Sequence, residues 1–249
     1  PVTVIISEKG WVRARTGHEH EPASFTFKAG DALYRAFECR TVDTLLAFGN
    51  NGRVYSVPVA GLPGARGDGQ PVLTLIELEA GTQLLHYFAG PSQAQLLLSG
   101  SGGYGFIAQV GDMISRQRGG KAFITCNAGE TVCAPSSIGG TNGSVPVPEA
   151  THIACASTGG RLLTFPIGEL RTMPNGGRGL MLMSLEDKDV LIGAAAYTRS
   201  IRVQGTGRGG KPREETLEIR SLNNAAAARG RKGKAADWGF KPQRIGRIE

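Results

Sequence analysis

The hydrophobic positions of this chain fall in short runs separated by glycine-rich turns, a pattern typical of antiparallel strands. An apolar strand, a glycine turn and a second strand recur as TVIISEKGWVRART, TLLAFGNNGRVYSVP, QLLLSGSGGYGFIAQ and HIACASTGGRLLTFP, with a divergent fifth copy, SIRVQGTGRGGKPREETLEI. The aligned turn glycines are Gly10, Gly52, Gly103, Gly160 and Gly210. The pattern therefore predicts five hairpins, one in each of five repeats.

After each of the middle three hairpins the same parts follow in the same order: a loop, a glycine-and-basic box, an apolar strand, an acidic turn and another apolar strand. The pattern therefore predicts about four strands in each repeat, as in one propeller blade. The predicted fold is all-β, a single domain of five four-stranded blades with cores at 3–41, 43–90, 94–140, 151–198 and 199–249. Residues 136–150 are interpreted as a loop between blades. A β-sandwich with accidentally similar hairpins is the weaker alternative, because the order of parts recurs as well as the composition.

Glycine, proline and cysteine usage narrows the class of protein. The 37 glycines and 13 prolines make up a fifth of the 249 residues, and the glycines after the Ala225–Ala228 run predict little helix. The four cysteines form no CxxC pair, so no metal site is predicted. Without a signal peptide or an apolar run of membrane length, we expect reduced thiols, a cytoplasmic protein and no membrane partner. The chain opens at Pro1 inside an apparent strand, which suggests a piece of a longer polypeptide.

The positive charge of the chain is concentrated near its end. The net charge is +7, but residues 199–249 hold 13 basic and 5 acidic residues, so the remainder is nearly neutral. Such an excess fits either a polyanionic partner or a solvated surface, and charge alone does not decide between them.

The glycine-and-basic boxes favour the polyanion. We assign them to FKAGDAL (27–33), ARGDGQP (65–71), QRGGKAF (117–123), PNGGRGL (174–180) and ARGRKGKA (228–235). Glycines permit sharp turns and close backbone approach, while neighbouring Lys and Arg can meet phosphate oxygens. We expect the third and fifth boxes, which carry the most cations, to dominate. With no recognition helix and only 6% aromatic residues, binding is predicted to ignore base sequence.

Other polar and aromatic residues are interpreted as structural. His18 and His20 lack a third metal ligand at suitable spacing, and His86 and His152 lie in apolar strands. Trp11 and Tyr55 occupy strand positions that favour packing, whereas Trp238 is left unassigned. No nucleophile and base pair supports a propeller hydrolase, so no catalytic residue is predicted.

Four stretches of the chain carry a family resemblance. KGWVRARTGHE, FKAGD, GRVYSVP…LPGARGDG and GYGFIAQVGDMISRQRGGKAFI resemble, in order and spacing, the C-terminal domain of the DNA-cleaving subunit of the bacterial type IIA topoisomerases, in its topoisomerase IV (ParC-type) form. The resemblance covers nearly the whole chain. The corresponding gyrase subunit is the near relative, but its early Q-R-R-G-G-K-G box is missing here, so gyrase-type DNA wrapping is the weaker alternative.

The resemblance implies a five-bladed β-pinwheel, closed or open as a ring. It implies an accessory domain that binds and bends duplex DNA on a basic outer rim and helps select supercoil sign, crossings and catenanes. The domain itself would need no cofactor, since ATP and magnesium serve other parts of the holoenzyme. Its partners would be DNA, the rest of the ParC-type subunit and, through it, the ATPase subunit. A location at the nucleoid would follow from these partners.

We predict DNA contacts first from the box cations and second from cations on or near the hairpins. The first group is Arg66, Arg116, Arg118, Lys121, Arg178, Arg229, Arg231, Lys232 and Lys234. The second group is Arg13, Arg15, Lys28, Arg208 and Lys211. The rival hypothesis is a protein-interaction propeller that recruits a condensin-type chromosome-organising partner, with the basic tail adding only solubility.

Overall fold

The computed structural model of the protein describes residues 1–142 and 145–248. Each repeat opens with a hairpin: β1 (Val2–Ser7) and β2 (Trp11–Thr16), β4 (Thr44–Gly49) and β5 (Arg53–Pro58), β8 (Gln95–Ser99) and β9 (Tyr104–Gln109), β14 (His152–Ser157) and β15 (Arg161–Pro166), β18 (Ser200–Thr206) and β19 (Pro212–Glu218). The five predicted turn glycines all have positive φ, between 74° and 92°. The five predicted hairpins are therefore present, and their turns require glycine.

A returning strand follows every hairpin, and in the second to fifth repeats a short strand lies between the hairpin and the returning strand. The four short strands, called box strands here, are β6 (Gln70–Pro71), β10 (Lys121–Ala122), β16 (Leu180–Met181) and β20 (Lys234–Ala235). The returning strands are β3 (Leu33–Cys39), β7 (Leu84–Gly90), β11 (Ser136–Ser137), β17 (Leu191–Tyr197) and β21 (Lys241–Arg247). Helices are short: α1 (Val110–Met113), α2 (Ile219–Asn224) and single 3₁₀ turns at Pro22–Ser24, Val59–Gly61, Val72–Thr74, Ile167–Glu169 and Arg208–Gly210.

The interval predicted as a loop between blades, 136–150, contains β11 and two further short strands. These are β12 (Gly140–Asn142) and β13 (Val145–Val147). Gly143 and Ser144, between them, lie outside the described residues, as does Glu249 at the end of the predicted fifth blade.

β12 and β13 form a separate two-stranded sheet, and the other strands build one antiparallel sheet for each repeat. The orders are β3-β1-β2-β6, β10-β5-β4-β7, β11-β8-β9-β16, β17-β14-β15-β20 and β19-β18-β21. Each hairpin pairs with its own returning strand, but each box strand joins the sheet of the preceding repeat. Neighbouring repeats are therefore tied by strand exchange within the sheets, which the sequence pattern did not indicate.

Two compact units divide the chain. The first comprises Pro1–Ala94, Gln109–Phe123 and Thr141–Pro146 and contains the first two sheets with the third box. Its core includes Ile6, Phe48 and Tyr55, so the predicted packing role of Tyr55 is confirmed. The second unit contains the other three sheets, and Trp238 is buried there in a cluster with Ala154, Leu162 and others.

Burial controls the chemistry of the thiols. Cys39, Cys133 and Cys155 are buried, and desolvation of the thiolate raises the pKa of Cys39 and of Cys133 to about 12 and raises that of Cys155 as well. Cys126 is half-buried, and burial also raises its pKa.

We expect only Cys126 to react quickly with a disulfide reagent in the native protein at pH 8. The three buried thiols are shielded from the reagent, and their strongly raised pKa keeps them protonated at that pH, whereas only thiolates react. Cys126 is half-buried, so the reagent can reach its sulfur. The measurement is a count of released thiolate chromophore before and after denaturant. Four equally fast native thiols would contradict the assignment of Cys39, Cys133 and Cys155 to the core.

Candidate nucleic-acid interface

In each box, one glycine packs closely against the sheet that the box strand joins. Gly69, Gly120, Gly179 and Gly233 directly precede their box strands and have φ between 64° and 83°. A Cβ at Gly179 would overlap the carbonyl oxygen of Gly105 on β9, and the other three glycines face the second hairpin strand of their sheets in the same way. Close approach to the neighbouring repeat therefore explains these glycines without a ligand.

The predicted first box, FKAGDAL, is wrong as a member of this set. It precedes the returning strand β3 directly, and the amide of Asp31 donates to the carbonyl of Lys28. The acidic turns of the next repeats make the same bond, from Thr82 to Glu79, from Glu130 to Asn127 and from Asp189 to Glu186. FKAGDAL is thus the first acidic turn, and the chain has four boxes.

The cations of the third box lie on both sides of Gly120. Arg116 and Arg118 are exposed, and one Arg118 Nη atom is 3.3 Å from the carbonyl oxygen of Thr74. Lys121 is half-buried, and its Nζ donates to the carbonyl of Asp112 in α1 at 2.6 Å. Arg116 and Arg118 are therefore the accessible charges of this box, whereas Lys121 also holds the loop to α1.

The fifth box presents its cations in a similar way. Arg231 and Lys234 are exposed, and Lys232 forms an exposed ion pair with Glu186 at 3.3 Å. Arg229 donates to the carbonyls of Glu169 and Met181. Exposed ion pairs contribute little to stability, so Lys232 stays available to an anion. Arg229, in contrast, ties the loop to the preceding repeat.

The second box flanks a shallow groove of about 190 Å³ on the first unit. Arg66 and Arg15 both line this groove and are exposed, and Arg15 is 3.4 Å from the hydroxyl of Ser24. Arg13 is buried and donates to the carbonyls of Gly67 and Thr26. The structure thus places Arg13 inside the fold as a support for the box loop.

The fourth box contributes one predicted cation, Arg178, which is paired. Its Nη2 atom is 3.1 Å from a carboxylate oxygen of Glu130, and its guanidinium lies 3.9 Å from the ring centroid of Tyr104. Among the second group of predicted cations, Lys28 lies over the Trp11 ring at 3.9 Å, while Arg208 and Lys211 are exposed near the last hairpin turn.

Two arginines have structural roles that were not predicted from the sequence. Arg53 donates to the carbonyls of Gly119 and Gly120, and Arg161 donates to that of Gly233. Each is the first residue after a turn glycine, which is the signal that identifies it. These residues clamp the third and fifth boxes against the preceding sheets.

The histidines make hydrogen bonds to other residues of the fold. His18 contacts the carbonyl of Cys39 at 2.7 Å, His20 contacts that of Thr16 at 3.0 Å, and His86 lies 3.3 Å from the hydroxyl of Tyr34. Within residues 1–142 and 145–248, no group of three His, Cys, Asp or Glu side chains is arranged to hold a metal. No helix in this part of the chain is long and apolar enough to cross a membrane.

Comparison with known proteins gives consistent matches. The family profile described as "DNA gyrase C-terminal domain, beta-propeller" matches residues 43–78 and 151–197. The A-type polypeptide of DNA topoisomerase 4 from Neisseria gonorrhoeae is 38% identical over 238 residues, covering 94% of this chain and 30% of the relative. Its counterpart from Escherichia coli K12 is 30% identical over 254 residues, covering 100% of this chain and 32% of the relative. The E. coli ParC C-terminal domain superposes with a TM-score of 0.79 at 26% identity, covering 98% of this chain and 97% of that one.

The fold, the repeats and these matches define the class: the domain has the fold of the gyrase-type C-terminal β-propeller domains. The member that it matches is the C-terminal domain of the ParC-type subunit of topoisomerase IV. The predicted resemblance and the five-bladed all-β fold are confirmed. The chain spans about 30% of the length of the curated relatives it matches.

Proposed function

We propose that this domain binds duplex DNA through phosphate contacts made by the third and fifth boxes. Both boxes carry cations at the same three positions relative to the glycine that precedes the box strand: four residues before it, two residues before it and one residue after it. This shared pattern is the main support for the proposal. These cations are Arg116, Arg118 and Lys121 around Gly120, and Arg229, Arg231 and Lys234 around Gly233. The same charge pattern on the same backbone geometry supports one repeated function.

The accessibility of these side chains supports phosphate binding. Arg116, Arg118, Arg231 and Lys234 are exposed, and their loops are held by box strands and by the Arg53 and Arg161 clamps. A fixed loop with exposed cationic ends suits a polyanion, because counterion release drives such binding. The longest α-helix of the described residues has six residues, so we propose that the domain reads no base sequence through a recognition helix.

We further propose that the domain bends the duplex and acts as an accessory part of a topoisomerase IV. Bending a 20–30 bp site by 40–90° costs about 1–6 kcal/mol, which several charged contacts can offset. ATP hydrolysis, magnesium and strand cleavage would belong to other domains of the holoenzyme. The domain would then contribute to the choice of supercoil sign, crossings and catenanes.

The proposal is tested with the 249-residue domain and a 20 bp duplex labelled at both ends with a fluorescence donor and acceptor. We expect binding that is independent of base sequence, with energy transfer rising as the duplex bends. Binding without a change in energy transfer would reject bending alone. Failure to bind duplex in 50 mM salt would reject the DNA-binding proposal and would favour the protein-interaction rival.

A topology assay tests the role in the holoenzyme. Topoisomerase IV with and without this domain is compared on positively supercoiled, negatively supercoiled and catenated DNA. We expect the loss of the domain to change the relative rates on the three substrates. An equal effect on all three would reject the selection role.

A further inference from the structure

Arg178 of the fourth box lies in a cage built from two segments of the second unit, the third hairpin and the acidic turn of the third repeat. Tyr104, at the start of β9, stacks on the guanidinium at 3.9 Å, and Glu130, in the acidic turn of the third repeat, pairs with its Nη2 atom at 3.1 Å. With its amide oriented to satisfy both partners, Asn127 accepts a hydrogen bond from Nη1 at 2.7 Å. The guanidinium is thus held on one face and along one edge.

The carboxylate of Glu130 has its own place in the fold. Its second carboxylate oxygen accepts a hydrogen bond from the backbone amide of Asn127 at 3.0 Å. A Cβ at Gly102, in the turn of the third hairpin, would overlap this carboxylate, so the glycine leaves room for it. Since Glu130 is fixed by groups other than Arg178, it is a preformed acceptor for the box cation.

Limited exposure makes this pair stronger than the other box ion pair. The side chains of Arg178 and Glu130 are 32% and 21% exposed, against 62% and 56% for Lys232 and Glu186. A paired, stacked guanidinium of this kind loses little to solvent screening, whereas the exposed pair is easily broken. The charge of Arg178 is therefore cancelled in place, while Lys232 can exchange partners.

We propose that Glu130 is a specificity-determining residue that withholds the fourth box from DNA. Arg178 clasps the box to the third sheet and makes no phosphate contact, so the DNA contacts of the second unit are concentrated in the fifth box. This inference rests on the proposed DNA binding and adds which boxes take part in it. The inference also gives the acidic turn of the third repeat a role, because its carboxylate determines which box cations an anion can reach.

The test measures the salt dependence of duplex binding by Glu130→Gln and Arg178→Gln domains. Glu130→Gln keeps the shape and a hydrogen-bond acceptor but frees one positive charge. We expect the slope of log K against log salt to steepen by about 0.9 and the affinity in 0.1 M salt to rise about eightfold. Arg178→Gln is expected to leave the slope unchanged while lowering the melting temperature.

Two further variants control for charge and folding. Glu218→Gln removes an exposed carboxylate of the same unit that forms none of the described ion pairs, and we expect a smaller increase in affinity than for Glu130→Gln. Arg178→Lys keeps the charge but loses the fork and the stack, so we expect a lower melting temperature and an unchanged slope.

The outcomes separate this inference from the proposed function. A slope that weakens by about 0.9 in Arg178→Gln would show that Arg178 contacts phosphate and would overturn the inference. Equal increases in duplex affinity in Glu130→Gln and Glu218→Gln would overturn the inference too. In either case, duplex binding by the wild-type domain would leave the proposed function intact. Absence of duplex binding by the wild-type domain would overturn both.

Discussion

Replacing Arg116, Arg118, Arg231 and Lys234 by glutamine is expected to lower the affinity for duplex DNA on the order of 10³-fold in 0.1 M salt. Each lost phosphate contact flattens the slope of log K against log salt by about 0.9, so four contacts change it by about 3.6. All four side chains are exposed, which predicts an unchanged fold and melting temperature. Fluorescence anisotropy of a labelled duplex at several salt concentrations measures both quantities.

The matched control removes four exposed cations outside the boxes. Replacing Lys9, Arg40, Arg171 and Arg220 by glutamine lowers the net charge by the same amount. We expect a much smaller loss, because long-range attraction between separated exposed charges is screened beyond about 10 Å in 0.1 M salt. Equal losses in the two variants would mean that the net charge, and not the boxes, governs binding.

The second large effect is expected on stability, from Gly179→Ala. Gly179 has a φ of 83°, which costs an L-residue about 1–2 kcal/mol, and the added Cβ would overlap the carbonyl oxygen of Gly105. Relieving that overlap requires the box strand β16 to separate from β9. We expect a total loss of more than about 3 kcal/mol, and a melting temperature lower by roughly 6–12 °C.

Gly129→Ala is the control for this effect. Gly129 lies in the same unit with a φ of 82°, but a Cβ there would meet open space. Only the backbone cost of about 1–2 kcal/mol is expected. Thermal melts followed by circular dichroism compare the two variants. Similar melting temperatures would contradict the view that close contact between repeats explains the box glycines.

The hairpins and the repeat were predictable from the sequence because their signals are local. A turn glycine between two apolar runs is decided by neighbouring residues, and all five predicted turn glycines adopt positive φ. The exchange of box strands was not predictable in this way. A two-residue strand such as Lys121–Ala122 has no periodicity, and its partners Val54 and Arg53 belong to the preceding repeat.

The misassigned first box shows the limit of composition as a signal. FKAGDAL contains glycine beside a basic residue, as the boxes do, but its order of residues, KAGD, matches EAGT and NAGE of the acidic turns. The position directly before an apolar returning strand would have identified it. In two of these turns the carboxylate that follows the residue with positive φ accepts a hydrogen bond from the hairpin turn. The backbone amide of Lys9 donates to Asp31, and that of Gly159 donates to Asp189.

The candidate site was predicted in part. Arg116, Arg118, Arg231 and Lys234 of the third and fifth boxes are exposed and form none of the described ion pairs, as expected for loop cations without a carboxylate partner. Arg178 differs because its partner Glu130 is 48 residues earlier in the chain, and only the fold brings them together. Arg13 differs because it is buried and its guanidinium donates to the carbonyls of Gly67 and Thr26. Charge type is thus readable from the sequence, whereas the availability of the charge is a tertiary property.

The most direct test of DNA binding by phosphate contact is a salt titration of the unmodified domain with a random-sequence duplex. With roughly 6–10 phosphates contacted, we expect the affinity to fall about 10³–10⁵-fold between 50 and 200 mM salt, whatever the base sequence. An affinity that changes little over this range, or that depends on one particular sequence, would contradict the proposed function.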